Sequence, residues 1–195
     1  LEQSSQKDWS QIPGISYIDF EGQYHSHPRA SRLKDLNQIP SPYLTETFQT
    51  LMAIHPQETW FALWETNRGC PFSCTFCDWG SAVNSKIYAF ELERLYAELE
   101  WFADHRIDFV FCCDANFGIL KRDLDIAEYA CQVKNKKGFP GRLCAQNTKN
   151  MTDRAFEVQK VLFHAGLNPS TTLSLQSLDL QTLDSVKRQN ISLES

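Results

Sequence analysis

Apolar and polar positions follow two regimes along this chain, and they meet near Thr59. From Leu1 to Glu58 neither a helical nor a strand period is sustained, and five of the eight prolines lie there. Ile12-Pro13-Gly14-Ile15-Ser16-Tyr17-Ile18 followed by Glu21-Gly22-Gln23 predicts a small hairpin turning at Glu21-Gly22. Leu36, Ile39, Pro40, Ser41, Pro42, Tyr43 and Leu44 predict an extended run, because the residue before a proline avoids the helical region. Residues 1–58 are therefore expected to form a connector lying on the surface.

After Thr59 the periods are clear. Trp60 to Glu65 reads as a buried strand. Phe90 to Phe102 places Leu92, Leu95, Leu99 and Phe102 on one helical face. Ile107 to Cys113 predicts a second strand. Asp123 to Val133 predicts a helix with Leu124, Ala127, Ala130 and Cys131 inward, and Lys134 to Lys137 set positive charge at its end before Gly138. Arg142 to Gln146 predicts a third strand. Thr152 to Ala165 predicts a helix offering Phe156, Val161 and Leu162 to the core and stopping at Gly166. Thr171 to Gln176 predicts a fourth strand, and Ser177 to Lys187 opens another helix. Short buried strands alternating with helices define βα units around a parallel sheet. A complete eight-unit barrel takes about 250 residues. The expected fold class is thus α/β: an incomplete (β/α) barrel of parallel strands over residues 59–195, preceded by an irregular Pro-rich connector over residues 1–58.

Composition narrows the function. A 42% apolar fraction and 12% aromatics belong to a folded globular chain. The net charge of −5 gives no bulk attraction to nucleic acid or anionic membrane. No apolar run nears the roughly 20 residues that span a bilayer. Leu1 to Lys7 lacks the basic-then-apolar order of a secretory leader, so a cytoplasmic protein is expected. The seven cysteines are an odd, unevenly spread set, which favours a metal or redox role over a disulfide framework.

Three of those cysteines, Cys70, Cys74 and Cys77, fall within eight residues of the loop Gly69 to Gly80, directly after the first predicted barrel strand. Thiolates suit iron–sulfur clusters and zinc. Structural zinc normally takes four ligands, often as two separated Cys pairs. This loop supplies three and contains no His; Cys112 and Cys113 are adjacent, and Cys131 and Cys144 are single, all four reading as packing residues. Three cysteines on one cubane leave one iron free for a small molecule, so a [4Fe–4S] cluster fits better than zinc.

The run Cys70-x-x-x-Cys74-x-Phe76-Cys77 resembles the signature of the radical S-adenosylmethionine (SAM) enzymes. The resemblance implies that Cys70, Cys74 and Cys77 hold a [4Fe–4S] cluster whose open iron is chelated by SAM. It implies reductive cleavage of SAM to a 5′-deoxyadenosyl radical, with the electron coming from a donor such as flavodoxin or ferredoxin, and it places Phe76 near the adenine. Asp114-Ala115-Asn116-Phe117, expected after the second strand, resembles the segment near the SAM amino group, which makes Asp114 and Asn116 candidate cofactor contacts. Leu173 to Ser177, with Leu183 and Arg188, resembles the fourth strand and its helix. Ser174 and Gln176 share a face there and are candidates for SAM contact. Gln146 and Asn147, at the third strand end, face the pocket or act as caps. Gly80 allows close backbone approach, and Trp79, after Asp78, shields the cluster. Ile12 to Ile15 and Ile39 to Leu44 resemble the connector between a cobalamin domain and the barrel in the cobalamin-dependent subgroup, which implies cobalamin through a domain absent from this chain and methylation of a small molecule or peptide. Two alternatives remain at this point. A methylthiotransferase-like RNA modifier needs a second set of cysteines, and residues 1–69 contain none. A metal-binding module without catalysis is the other.

Overall fold

The computed structural model describes residues 9–77, 86–148, 152–171 and 175–188. Contacts divide the chain into two units, Leu1–Lys34 and Asp35–Ser195.

The first unit holds the expected hairpin. Strand β1 (Ser16–Ile18) pairs antiparallel with β2 (Tyr24–Ser26). The turn is held by Asp19, whose carboxylate accepts the backbone N–H groups of Glu21 and Gln23, both at 2.9 Å, and bonds the His25 ring at 2.7 Å.

The second unit is built on three parallel strands. In chain order it contains a 3-10 turn (Leu36–Gln38), α1 (Gln49–Ile54), β3 (Phe61–Trp64), β4 (Asn67–Arg68), β5 (Tyr88–Ala89), α2 (Leu92–Asp104), β6 (Phe109–Phe117), α3 (Arg122–Lys137), β7 (Arg142–Asn147), α4 (Asp153–His164) and α5 (Leu180–Ser185). Strand β6 lies between β3 and β7 and is parallel to both. Ala62, Trp64, Val110, Cys112 and Leu143 are buried in one core with Leu95, Leu99 and Phe102 of α2, Ile126, Ala127 and Ala130 of α3, and Val158 and Leu162 of α4. Phe61 and Leu63 stand exposed on the opposite side of β3, as alternation along a strand requires. Among the described residues no helix is long and apolar enough to cross a membrane.

The Pro-punctuated segment is more involved in packing than a surface run. Leu36 is buried in the core, and Ile39, Tyr43 and Met52 pack against it. The Tyr43 hydroxyl donates to the Leu63 carbonyl on the outer strand β3, and its ring lies edge-on to Phe102 with centroids 4.7 Å apart. Asn37 Oδ1 accepts the Glu91 N–H at 3.1 Å, capping the start of α2. The short helix α1 also lies in this region, where the apolar pattern gives no helical period.

Other departures have equally local causes. Phe156 is 56% exposed, because the inward stripe of α4 runs through Ala155, Val158 and Leu162 and leaves Phe156 on the flank. Asp114 to Phe117 lie inside β6, not after it. The β6–β7 ladder shifts register between Cys112 and Phe117 and resumes at Phe117 opposite Asn147. A bulge of this kind lets a strand continue while re-aiming its side chains. The last helix is shorter than its pattern, starting at Leu180 behind the Asp179 cap. In the fourth predicted strand, residues 172–174, including Ser174, lie outside the described residues, and the flanking Thr171, Leu175 and Gln176 are not in a strand.

Candidate metal and cofactor site at the cysteine loop

The loop leaves the carboxyl end of β3, where parallel α/β sheets place their ligands. Its base is a two-residue antiparallel ladder: Asn67 and Arg68 of β4 pair with Ala89 and Tyr88 of β5. Two charged residues from β6 and α3 hold this base. Asp114 is buried and accepts from Thr66 N at 2.8 Å, Asn67 N at 3.2 Å, Asn67 Nδ2 at 2.7 Å and the Thr66 hydroxyl. Arg122 donates to the Thr66 carbonyl at 3.1 Å and to the Phe90 carbonyl. Backbone groups on both sides of the loop are thus fixed by side chains whose own elements are part of the core. Burial pushes the Asp114 carboxyl above its ordinary pKa, against the pull of its Thr66 and Asn67 donors.

Gly69, at φ 121°, starts the loop in a conformation that side-chain-bearing residues rarely adopt. Cys70 and Cys74 follow, at 4% and 3% exposure, and Cys77 is half-buried. The Cys77 N–H donates to the Cys74 carbonyl at 3.2 Å, making a tight turn between the second and third cysteine. Thr75 N donates to the Val186 carbonyl at 3.2 Å, which brings the residues after α5 against the loop. Two side chains then reach sulfur. Asn116 Nδ2 lies 3.2 Å from Cys70 Sγ, and Arg188 Nη1 lies 3.8 Å from Cys74 Sγ.

Among the described residues both of these side chains keep buried polar atoms without a partner: Asn116 Oδ1, and Arg188 Nε and Nη2. Asn147 Oδ1, at the end of β7, is in the same condition. Buried polar groups are normally satisfied, so such atoms beside a thiol-rich loop mark a place for a polar ligand. Tetrahedral zinc takes four ligands, and the loop offers three cysteines and no His. A cubane carries each thiolate on a different iron, so its ligands need not meet at one point. The donor set, three cysteines with N–H groups directed at two sulfurs, fits a cluster.

The remaining candidates are placed as follows. Phe76 is 55% exposed on the loop, and Gln176 is exposed. Gln146 is exposed and Asn147 half-buried at the end of β7. Asp78, Trp79, Gly80 and Ser174 lie outside the described residues. The other cysteines are unlike the loop set. Cys112 is fully enclosed, and burial pushes its thiol well above the ordinary range; the half-buried Cys113, Cys131 and Cys144 shift the same way for the same reason. Thr66, Asn67 and Arg122 were not legible as site residues, because their roles depend on contacts spanning 47 to 56 positions.

Strand order and loop chemistry together define a parallel α/β protein with three cysteines on the loop after the first strand of its parallel sheet. The description of the radical SAM superfamily matches residues 64–194, and the chain belongs to that superfamily. Its fold is part of a radical SAM barrel. Among curated relatives, the 2-(S-pantetheinyl)-carbapenam-3-carboxylate methyltransferase of Streptantibioticus cattleyicolor is 44% identical over 190 residues, covering 96% of this chain and 28% of the relative. The cobalamin-dependent radical SAM methyltransferase TokK of Streptomyces tokunonensis is 42% identical over 194 residues, covering 98% and 28%. The chain therefore spans just over a quarter of the length of these relatives. Among solved structures, TsrM from Kitasatospora setae with tryptophan and a SAM analogue matches 82% of this chain and 31% of its own at a TM-score of 0.53. The cobalamin-dependent enzyme OxsB with aqua-cobalamin and SAM matches 92% and 26% at 0.52. Both are 18% identical to this chain and show the shared fold.

Proposed function

We propose that this chain carries the cluster- and SAM-binding part of a cobalamin-dependent radical SAM methyltransferase acting on a small molecule or peptide. The observation that carries the reading is the pair of buried cysteines on the superfamily motif, Cys70 and Cys74, each with an N–H donor at its sulfur. Cys70, Cys74 and Cys77 are the proposed ligands of a [4Fe–4S] cluster. When bound, the cluster supplies the single electron that cleaves SAM reductively, and a cobalamin domain elsewhere in the whole protein carries the methyl group.

This chain's own residues bind and position. Asp114 and Arg122 keep the base of the loop in place. Asn116, with an unpartnered carbonyl oxygen, and Arg188, with two unpartnered N–H groups, are suited to the amino and carboxylate groups of SAM. Phe76, Ser174 and Gln176 complete the proposed cofactor side, and Asp114 serves it through the loop. The electron comes from a low-potential donor such as flavodoxin or ferredoxin. The proposal places the protein in the cytoplasm, and its net charge of −5 gives no bulk attraction to nucleic acid or anionic membrane. The names of the two curated relatives favour methyl transfer over methylthiolation of RNA.

Anaerobic reconstitution of the full-length protein with iron and sulfide tests this reading. The expected result is about four irons per chain, an EPR signal after dithionite that changes on adding SAM, and formation of 5′-deoxyadenosine. Cys74→Ala is expected to abolish the cluster. Retention of zinc alone by the wild-type protein would refute the assignment.

A further inference from the structure

Asn116 and Arg188 approach the loop from opposite parts of the fold, one from the bulged strand β6 and the other from beyond α5. They end on different cysteines. Asn116 is 3% exposed and Arg188 5%. Neither side chain is free to wander. Asn116 sits at the end of the buried register Val110, Cys112, Asp114, Asn116. The Arg188 guanidinium lies over the Phe72 ring at 5.6 Å, the backbone N–H of Arg188 donates to the Leu183 carbonyl at 2.9 Å, and the Thr75–Val186 bond ties its segment to the loop. Phe72 and Thr75 flank Cys74 in sequence, so the loop itself builds the seat for the cation that meets Cys74.

We infer that Asn116 and Arg188 are paired positioning residues that raise the reduction potential of the cluster, one through the Cys70 sulfur and the other through the Cys74 sulfur. The inference rests on the cluster assignment made above. An oxidised cubane of charge 2+ on three thiolates carries one net negative charge, and one electron from a low-potential reductant takes it to two. No other bond forms or breaks in that step. The added charge sits in a buried site, where a cation and an N–H dipole act more strongly than in water. Hydrogen bonds to ligand sulfur are one of the levers that set cluster potential. An N–H group aimed at thiolate sulfur withdraws electron density from iron and favours the reduced form. Arg188 adds a full positive charge that screens it. The two donors meet different sulfurs, Cys70 and Cys74, so both act on the potential in the same direction.

The test uses the full-length protein, reconstituted anaerobically and held free of SAM, so that any role of either residue in SAM binding drops out. Iron content and the EPR signal of the dithionite-reduced wild type first establish that a cluster is present; failure here overturns the cluster assignment and the inference with it. An EPR-monitored redox titration then reads the midpoint potential. Asn116→Ala and Arg188→Gln are each expected to shift it to more negative values, and the double variant further than either. Arg188→Lys, which keeps the charge but not the planar fork, is expected to shift it less than Arg188→Gln. Unchanged potentials in variants loaded with iron to the wild-type level would overturn the inference. Should the Arg188 variants fail to hold the cluster, the unmodified protein decides. Arginine labelled with 15N in the guanidino group must then give a 15N coupling to the reduced cluster in pulsed EPR, and its absence would overturn the Arg188 assignment.

Discussion

Replacing Asp114 by Ala removes one carboxylate and leaves four donors behind it: two backbone N–H groups of Thr66 and Asn67, the Thr66 hydroxyl and the Asn67 amide. Thr66 is fully buried and Asn67 nearly so. Each buried donor without a partner costs about 1–3 kcal/mol. The hydroxyl and amide can rotate toward one another, since Asn67 Nδ2 already lies 3.2 Å from Thr66 Oγ1. The two backbone groups cannot turn away without breaking β4. They set a floor of about 2 kcal/mol, and about 3–4 kcal/mol is expected after partial entry of water. Against a domain stability of about 5–15 kcal/mol this is a large fraction. Thr66→Val removes one donor and keeps the acceptor, so it should cost only about 1 kcal/mol. The assay is urea unfolding of the iron-free protein, followed by iron uptake of the folded fraction. Asp114→Ala is expected to bind less iron although it alters no cysteine, because the base of the loop has lost its clamp. An Asp114→Ala cost within about 0.5 kcal/mol of wild type, or equal to that of Thr66→Val, would refute this account of the loop.

Three further outcomes are expected. Glu98→Ala takes away the acceptor of both the Trp64 indole N–H, at 2.7 Å, and Arg94, at 3.0 Å, and should cost about 3–5 kcal/mol in a denaturant melt because the Arg94 charge stays behind largely buried. Gly118→Ala, at φ 93° and with Ala155 Cα only 3.0 Å from the added Cβ, should lower the thermal midpoint more than an exposed Gly→Ala change; an unchanged midpoint would contradict the close approach of α4 to β6. Burial raises the Asp123 carboxyl from 3.8 to about 6, so the fold favours its protonated form: that stability is full below 3.8, falls as pH rises toward 6 and is gone above it. The gap corresponds to roughly 3 kcal/mol. Asp123→Asn should flatten the curve of stability against pH over this window, and parallel curves for wild type and variant would contradict the assignment.

The barrel units and the cysteines were legible because each is written locally. The stripe Leu95, Leu99, Phe102 is a helical period that the core uses unchanged, and the motif Cys70, Cys74, Cys77 lies within one loop. Phe156 is not inward because the stripe of α4 is carried by the smaller side chains of Ala155, Val158 and Leu162, a direction that hydrophobicity alone does not reveal. Asp and Asn are turn formers and so suggest a strand end at Asp114, whereas here they sit in a strand that stays paired beyond a bulge. The clamp on the loop was hidden for another reason. Arg122 meets Thr66 across 56 positions, and only the parallel crossing of β6 and α3 brings them together. Arg188 reads by resemblance only as part of the helix after the fourth strand, and its contact with Cys74 sulfur depends on the seat made by Phe72.

Strand β6 has one more property that follows from its burial. Val110 and Cys112 pack in the core, and Asp114 and Asn116 carry the same parity onward to the loop base and to the Cys70 sulfur. The site is therefore specified by a count as much as by residue type. Inserting or deleting one residue between Val110 and Cys112, before the ladder shifts, turns the side chains that follow, Asp114 and Asn116 among them, to the other face of the sheet. Asp114 would leave Thr66, and Asn116 would leave Cys70, in a single step. Conservative substitutions at Val110 or Cys112 change packing by a methyl group or less, while a change of length there disconnects the core from the chemistry.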